Sequence, residues 1–127
     1  MTTQISRVIV GSDGSDRAGR AVARAVEVAA ALGGALTVLG VGTASKLRPL
    51  LERQVEEHGD SGVAIDIRVE SGHPATVIAE IAEREGYDLL VLGNKGMSGL
   101  ERLRLGSVPN KVSHHLPCSL LIVRTGS

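Results

Sequence analysis

The sequence predicts one α/β domain, residues 1–127, built as an open, doubly wound, five-stranded parallel sheet of order 3-2-1-4-5 with helices on both faces. Three observations predict it. Strand-like and helix-like apolar patterns alternate along the whole chain, the signature of βα units around a parallel sheet. The two loops richest in glycine and polar residues, Asp13-Gly14-Ser15 and the stretch from Gly93 onward, follow the first and fourth strand patterns. Sheets of this class bind ligands at the carboxyl ends of the strands where the winding reverses, so one site shared by both loops makes those strands neighbours. The third strand pattern alternates apolar and polar residues strictly, which means one wet face and an edge position; right-handed crossovers then give the stated order.

The elements follow in turn. Ser6 to Ser12 (SRVIVGS) reads as a buried strand, and Asp13-Gly14-Ser15 as a turn in which Ser15 is suited to cap a helix. Asp16 to Leu32 carries Ala18, Ala21, Val22, Ala25, Val26, Ala29 and Leu32 at helical spacing. Gly33-Gly34 ends that helix, and Ala35 to Val41 is the second strand. Lys46 to His58 forms an amphipathic pattern with Leu47, Leu50, Leu51 and Val55 on one face, broken by Gly59 to Gly62. Val63 to Glu70 is the alternating strand. Pro74 opens a third helix with Val77, Ile78, Ile81 and Ala82 inward. Asp88 to Leu92 is a continuous apolar run and therefore central. A loop over 93–106 leads to a short helix from Ser107 to about His115, stopped by Pro117, and Ser119 to Arg124 is the last strand.

Composition narrows the function. The chain is 43% hydrophobic with no Phe or Trp, and Tyr87 is its single aromatic, so the core is aliphatic. A platform for stacking single-stranded nucleic acid needs aromatic faces and is excluded. Basic and acidic residues balance at 14 each, so no overall field for nucleic acid or a membrane surface is expected. Cys118 is the single cysteine, and no signal peptide or membrane-length apolar run is visible, which together fit a cytoplasmic protein.

The chemistry concentrates after the fourth strand, where Gly93-Asn94-Lys95-Gly96 is followed nine residues later by Gly106-Ser107, a G-x2-G-x9-G-S spacing. Glycines let the backbone approach a ligand closely. The expected helix start at Ser107 offers unpaired N–H groups and a partial positive charge to an anion. Ser107 can cap the helix or donate to a phosphate oxygen, Pro109 gives up an N–H that has no partner in a first turn, and Lys95 adds a mobile positive charge. The loop suits a polyphosphate or a single phosphate group.

With these features the sequence resembles the universal stress protein family. The likeness spans nearly the whole chain: the first strand running into Asp13-Gly14-Ser15, Gly72-x-Pro74, Asp88-Leu-Leu-Val-Leu-Gly93, the spaced glycines, and Leu116-Pro117-Cys118-Ser119 before the last strand. The resemblance implies an adenine nucleotide alpha-hydrolase-like fold and the ATP-binding branch, which keeps the full glycine motif. It implies that Asp13 contacts the ribose or adenine edge, with Gly11 and Ser12 lining the approach, and that the backbone of Val41 meets the adenine. Gly93 and Gly96 would flank ribose and phosphates, with Asn94 and Lys95 counted in the same binding site, and Gly106, Ser107 and Val108 would hold phosphates. Any Mg or Mn would be held through the phosphates. The family commonly dimerises through its last strand, here Leu120, Leu121, Ile122 and Val123. Two departures stand out: the stretch between Gly42 and Gly62 is compact, and position 11 is Gly where relatives often carry a larger residue.

The expected function is therefore an adenine-nucleotide-binding regulatory protein acting as a homodimer, with ATP as ligand and no nucleic-acid or membrane partner. AMP and cyclic AMP remain open as ligands, as does a weak ATPase or nucleotidyl-transfer activity, for which Asp13, His73 and Lys95 are the candidate groups without a constellation linking them. No G-x4-G-K-[ST] run occurs, which excludes a P-loop hydrolase. The adjacent His114 and His115 diverge by about 100° on a helix, a poor metal pair. His73 and His58 read as solvated, and Cys118 as a buried, inert thiol.

Overall fold

The computed structural model describes residues 6–94 and 118–125. Its elements are β1 (Arg7–Gly11), α1 (Asp16–Leu32), β2 (Ala35–Val41), α2 (Ala44–Glu56), β3 (Ile65–Glu70), α3 (Pro74–Arg84), β4 (Leu89–Gly93) and β5 (Ser119–Val123). All pairings between strands are parallel and the order is β3-β2-β1-β4-β5, as the patterning predicts. The expected helix from Ser107 lies outside the described residues.

Side-chain period decides which face each helix covers. Val8 and Val10 of β1 point to one side, where they join Val22 and Val26 of α1 and Leu47 and Leu51 of α2. Ile9 points to the other, where it joins Ile78, Ile81 and Ala82 of α3. The winding therefore reverses between β1 and β4. Burying each valine or isoleucine side chain contributes roughly 1.5–3 kcal/mol against leaving it in water.

Helix α1 has the bounds its sequence predicts, because both ends are capped. The Ser15 hydroxyl accepts from Ala18 N, and Gly33 closes the helix at φ 69° with its N–H on the carbonyls of Ala29 and Ala30. Its buried stripe is mostly alanine, which lets the helix lie close to the sheet. Close approach also explains Gly40 in β2: a Cβ there would stand 2.6 Å from Leu47 Cδ2 and 2.9 Å from Leu51 Cδ1, so glycine makes room for α2.

Several local expectations shift. α2 starts and stops two residues earlier than the apolar pattern suggests, and its inward face is Leu47, Leu51 and Gln54. Leu50, expected inside, is 39% exposed. It lies over the turn at Gly14 at the rim of the sheet, and the buried position one turn from Leu51 is taken by a glutamine. Val77 is half-buried and Ala75 and Ala79 take inward positions of α3. β3 is two residues shorter at its start than the alternating run. Its edge position stands: Ile65, Ile67 and Val69 pack toward the core, while Arg68 on the other face pairs with Glu70 at 3.0 Å and Glu85 at 2.5 Å.

The lone aromatic is buried beneath β2. Tyr87 is 5% exposed and its hydroxyl donates to Thr37 Oγ1 at 3.0 Å. The Arg7 guanidinium sits 4.4 Å above the ring centroid. Cys118, expected buried, is half-buried and packs against the cluster under α3. No helix among the described residues is long and apolar enough to cross a membrane.

Candidate functional site

The parallel sheet brings the carboxyl ends of β1, β2 and β4 to one rim, and with them Gly11, Ser12, Asp13, Val41, Gly93 and Asn94. Lys95, Gly96, Gly106, Ser107 and Val108 lie outside the described residues. β1 and β4 are adjacent, and the helices packed on the sheet lie on opposite faces, α1 and α2 on one and α3 on the other; in sheets of this class the carboxyl ends of two such strands are where ligands bind.

Gly11 ends β1 opposite Leu39 and is buried. Ser12 continues the ladder by one rung, its N–H donating to the Leu39 carbonyl at 2.9 Å. Its hydroxyl is fully buried; it donates to Gln54 Oε1 at 2.7 Å and accepts from Gly14 N at 3.1 Å. Ser12 thus serves the turn and the wall between α1 and α2 with both its N–H and its hydroxyl. Asp13 is half-buried at the head of that turn, and its Oδ1 accepts from Ser15 N at 2.9 Å. This side-chain-to-backbone turn holds the carboxylate just beyond the end of β1. Gly14 has φ 82°, and a Cβ there would stand 2.7 Å from Leu50 Cβ.

β2 runs two residues past its last pair with β1, so Gly40 and Val41 project beyond the end of that strand. Main-chain groups in a strand alternate between its two edges. Leu39 turns its carbonyl to the β1 side, where Ser12 N meets it, and Gly42 N turns to the β3 side, onto the Glu70 carbonyl at 2.8 Å. The N–H and C=O of Val41 share the edge of Leu39 and face the space above Gly11, where β1 has already ended. That geometry offers one donor and one acceptor to the edge of a flat heterocycle.

Beyond Val41 an open cleft of 570 Å³ lies at the paired ends of β2 and β3; Thr43, Glu70 and Ser71 supply its polar groups. On the β4 side, Gly93 pairs with Val123, and Asn94 N donates to the Val123 carbonyl at 2.9 Å. The Asn94 Oδ1 accepts from Thr125 N at 2.9 Å and Thr125 Oγ1 at 3.2 Å.

His73 precedes α3 and is exposed; its carbonyl accepts from Val77 N. His58 is half-buried in the turn after α2. Among the described residues, no group of three or more His, Cys, Asp or Glu side chains could hold a metal ion.

Sequence reasoning missed Gln54 and Thr125. Gln54 had a readable signal: it follows Leu47 and Leu51 on one helical stripe, and a polar residue on a buried stripe needs partners. Thr125 follows the last apolar run with no pattern to mark it.

Comparison with known proteins places these features in a family. The model described as "Universal stress protein family" matches residues 4–124. Universal stress protein YxiE of Bacillus subtilis is 32% identical over 94% of this chain and 99% of its own. The crystal structure of a universal stress protein in complex with cAMP is 33% identical, with a TM-score of 0.81 over 98% of this chain and 100% of that one. The structure of Rv1636 from Mycobacterium tuberculosis H37Rv is 34% identical, with a TM-score of 0.68 over 99% of this chain and 100% of that one.

Proposed function

Because the chain belongs to the universal stress protein family, we propose that it is a regulatory protein that binds an adenine nucleotide across the carboxyl ends of β1, β2 and β4. The observation that carries this reading is the overrun of β2: the N–H and C=O of Val41 face the gap beyond Gly11 with the Asp13 carboxylate at the head of the adjoining turn. A purine edge suits the first pair of groups, and ribose hydroxyls, which are donors, suit the second. The protein crystallised with cAMP shares this fold over nearly the whole chain.

In this reading Val41 meets the base through its main chain, Asp13 holds ribose or the adenine edge, and Gly11 leaves room beside them. Gly93, Asn94, Lys95 and Gly96 flank ribose and phosphates, and Gly106, Ser107 and Val108 hold phosphate oxygens through N–H groups and the serine hydroxyl. Mg or Mn, when bound, would be carried by the phosphates. The full glycine motif favours ATP. Cyclic AMP is the second reading, favoured by the similar protein's complex; one phosphate also fits the motif.

We place the homodimer at β5. It is the outer strand of the sheet on the β4 side, and Leu120, Leu121 and Ile122 are only half-buried there. An apolar edge strand invites pairing with another copy.

The test begins with mass spectrometry of the purified protein for co-purified nucleotide, then calorimetry with ATP, AMP and cyclic AMP. The expected result is saturable binding of at least one of them, abolished in Gly106→Val and weakened in Asp13→Ala, with the far-UV spectrum unchanged. No binding by the wild type, or full affinity in Gly106→Val, overturns the proposal. Phosphate release with magnesium tests the weak-ATPase alternative, and light scattering tests the dimer.

A further inference from the structure

We infer that Thr125 is a positioning residue for the nucleotide site, and that Asn94 acts on that site through Thr125 rather than by accepting a hydrogen bond from the ligand. The inference rests on the adenine-nucleotide reading above. Asn94 is the first residue after β4. Its main-chain N–H extends the β4–β5 ladder by one rung onto the Val123 carbonyl. Its side chain then takes both donors of a single residue: Thr125 N at 2.9 Å and Thr125 Oγ1 at 3.2 Å both end on Oδ1. An amide oxygen has two lone pairs, and both are engaged. What Asn94 retains for a ligand is its NH2 group, a donor.

Thr125 is itself held. It is fully buried, and its carbonyl accepts from Arg20 Nη1 at 2.6 Å. Arg20 lies in α1, one turn beyond Ser15 and Asp16. The contacts therefore run from the exit of β4, through the second residue after β5, to the helix that begins at the Asp13–Ser15 turn. They tie the end of β4 to the helix that follows β1. Two bonds on one amide oxygen fix the Asn94 side chain, and with it the direction in which the chain leaves Gly93.

The test uses the full chain with ATP and cyclic AMP as calorimetric probes. Thr125→Val removes the hydroxyl donor and keeps the shape and the N–H. The expected result is affinity roughly three- to tenfold weaker, the loss associated with one neutral hydrogen bond. Thr125→Ser keeps the donor and should bind as the wild type does. Asn94→Ala should weaken binding, and adding Thr125→Val to it should cost less than Thr125→Val costs alone, because Asn94→Ala already removes the acceptor of the Thr125 hydroxyl. Amide exchange of the nucleotide-free chain should quicken at Asn94 and Thr125 in the Thr125→Val and Asn94→Ala variants, but not in Thr125→Ser. If Thr125→Val fails to fold, Arg20→Met, which frees the Thr125 carbonyl from α1, should weaken affinity in the same direction. Wild-type affinity in Thr125→Val alongside a large loss in Asn94→Ala overturns the inference and makes Asn94 a direct ligand contact. Absence of binding in the wild type overturns the proposed function instead, and this inference with it.

Discussion

The Ser12 hydroxyl donates to Gln54 Oε1 at 2.7 Å in a buried pocket where Ser12 is 0% and Gln54 8% exposed. Gln54 Nε2 donates in turn to the Ser15 carbonyl at 2.9 Å, so one glutamine of α2 fastens both ends of the turn that carries Asp13. Gln54→Leu keeps the bulk but leaves the Ser12 hydroxyl without its acceptor. A buried polar group stripped of its partner costs about 1–3 kcal/mol. Urea unfolding should show a loss of that size for Gln54→Leu, with part recovered in the Ser12→Ala/Gln54→Leu double variant; a neutral Gln54→Leu refutes the role.

Gly14 is constrained twice, by its φ of 82° and by Leu50 Cβ, 2.7 Å from where its own Cβ would stand. An L-residue in the left-handed region costs roughly 1–2 kcal/mol. Gly14→Ala should lose at least that much in urea unfolding. Adding Leu50→Ala removes Cδ1 at 2.9 Å and Cγ at 3.3 Å but keeps the Cβ at 2.7 Å, so it should return only part of the contact loss and none of the backbone part; complete rescue by the second change argues against strain at φ.

Asp88 ties the amino ends of β1 and β4 together, opposite the candidate site. Its Oδ2 accepts from Ser6 N at 3.0 Å, Arg7 N at 2.9 Å and Ser6 Oγ at 3.1 Å. The main-chain N–H groups of Ser6 and Arg7 hold its carboxyl below the usual aspartate value of 3.8. A carboxyl depressed in the folded state stabilises the fold above its unfolded pKa, about 3.9, and that contribution fades as pH falls through the folded value. Stability measured by urea midpoint should therefore drop on acidification below about pH 4. Asp88→Asn should be less stable at neutral pH and show a shallower acid limb. An unchanged acid limb removes Asp88 from the explanation.

Cys118 borders the same carboxylate. Burial pushes its thiol up, and the Asp88 charge pushes it further in the same direction, against a backbone hydrogen bond to Leu90. The thiolate is the reactive form. Iodoacetamide should consequently modify the folded chain more slowly than the urea-unfolded chain at one pH near 8, and Asp88→Asn should quicken the reaction modestly. Equal rates in folded and unfolded chains contradict this environment.

The sequence by itself determined the strand order, the edge position of β3, the bounds of α1 and the rim that carries the candidate site. Each follows from a local or periodic signal: alternation in Val63 to Glu70, Ser15 and Gly33 as caps, glycine-rich loops after two strands. It also marked Gly11, Asp13, Val41 and Gly93 as rim residues through the family resemblance, and the parallel sheet brings all of them to one end. What only the tertiary structure decided concerns partners distant in sequence. Ser12 meets Gln54 across 42 residues, Asn94 meets Thr125 across 31 and Arg20 meets it across 105. No period links such positions, and a hydrogen bond of about 3 Å depends on register and helix placement that apolar patterning leaves open. The same reason places Leu50 outside and Gln54 inside. The helical stripe sets which residues compete for the interior, and the packing of α2 against Gly14, Gly40 and Ser12 selects among them.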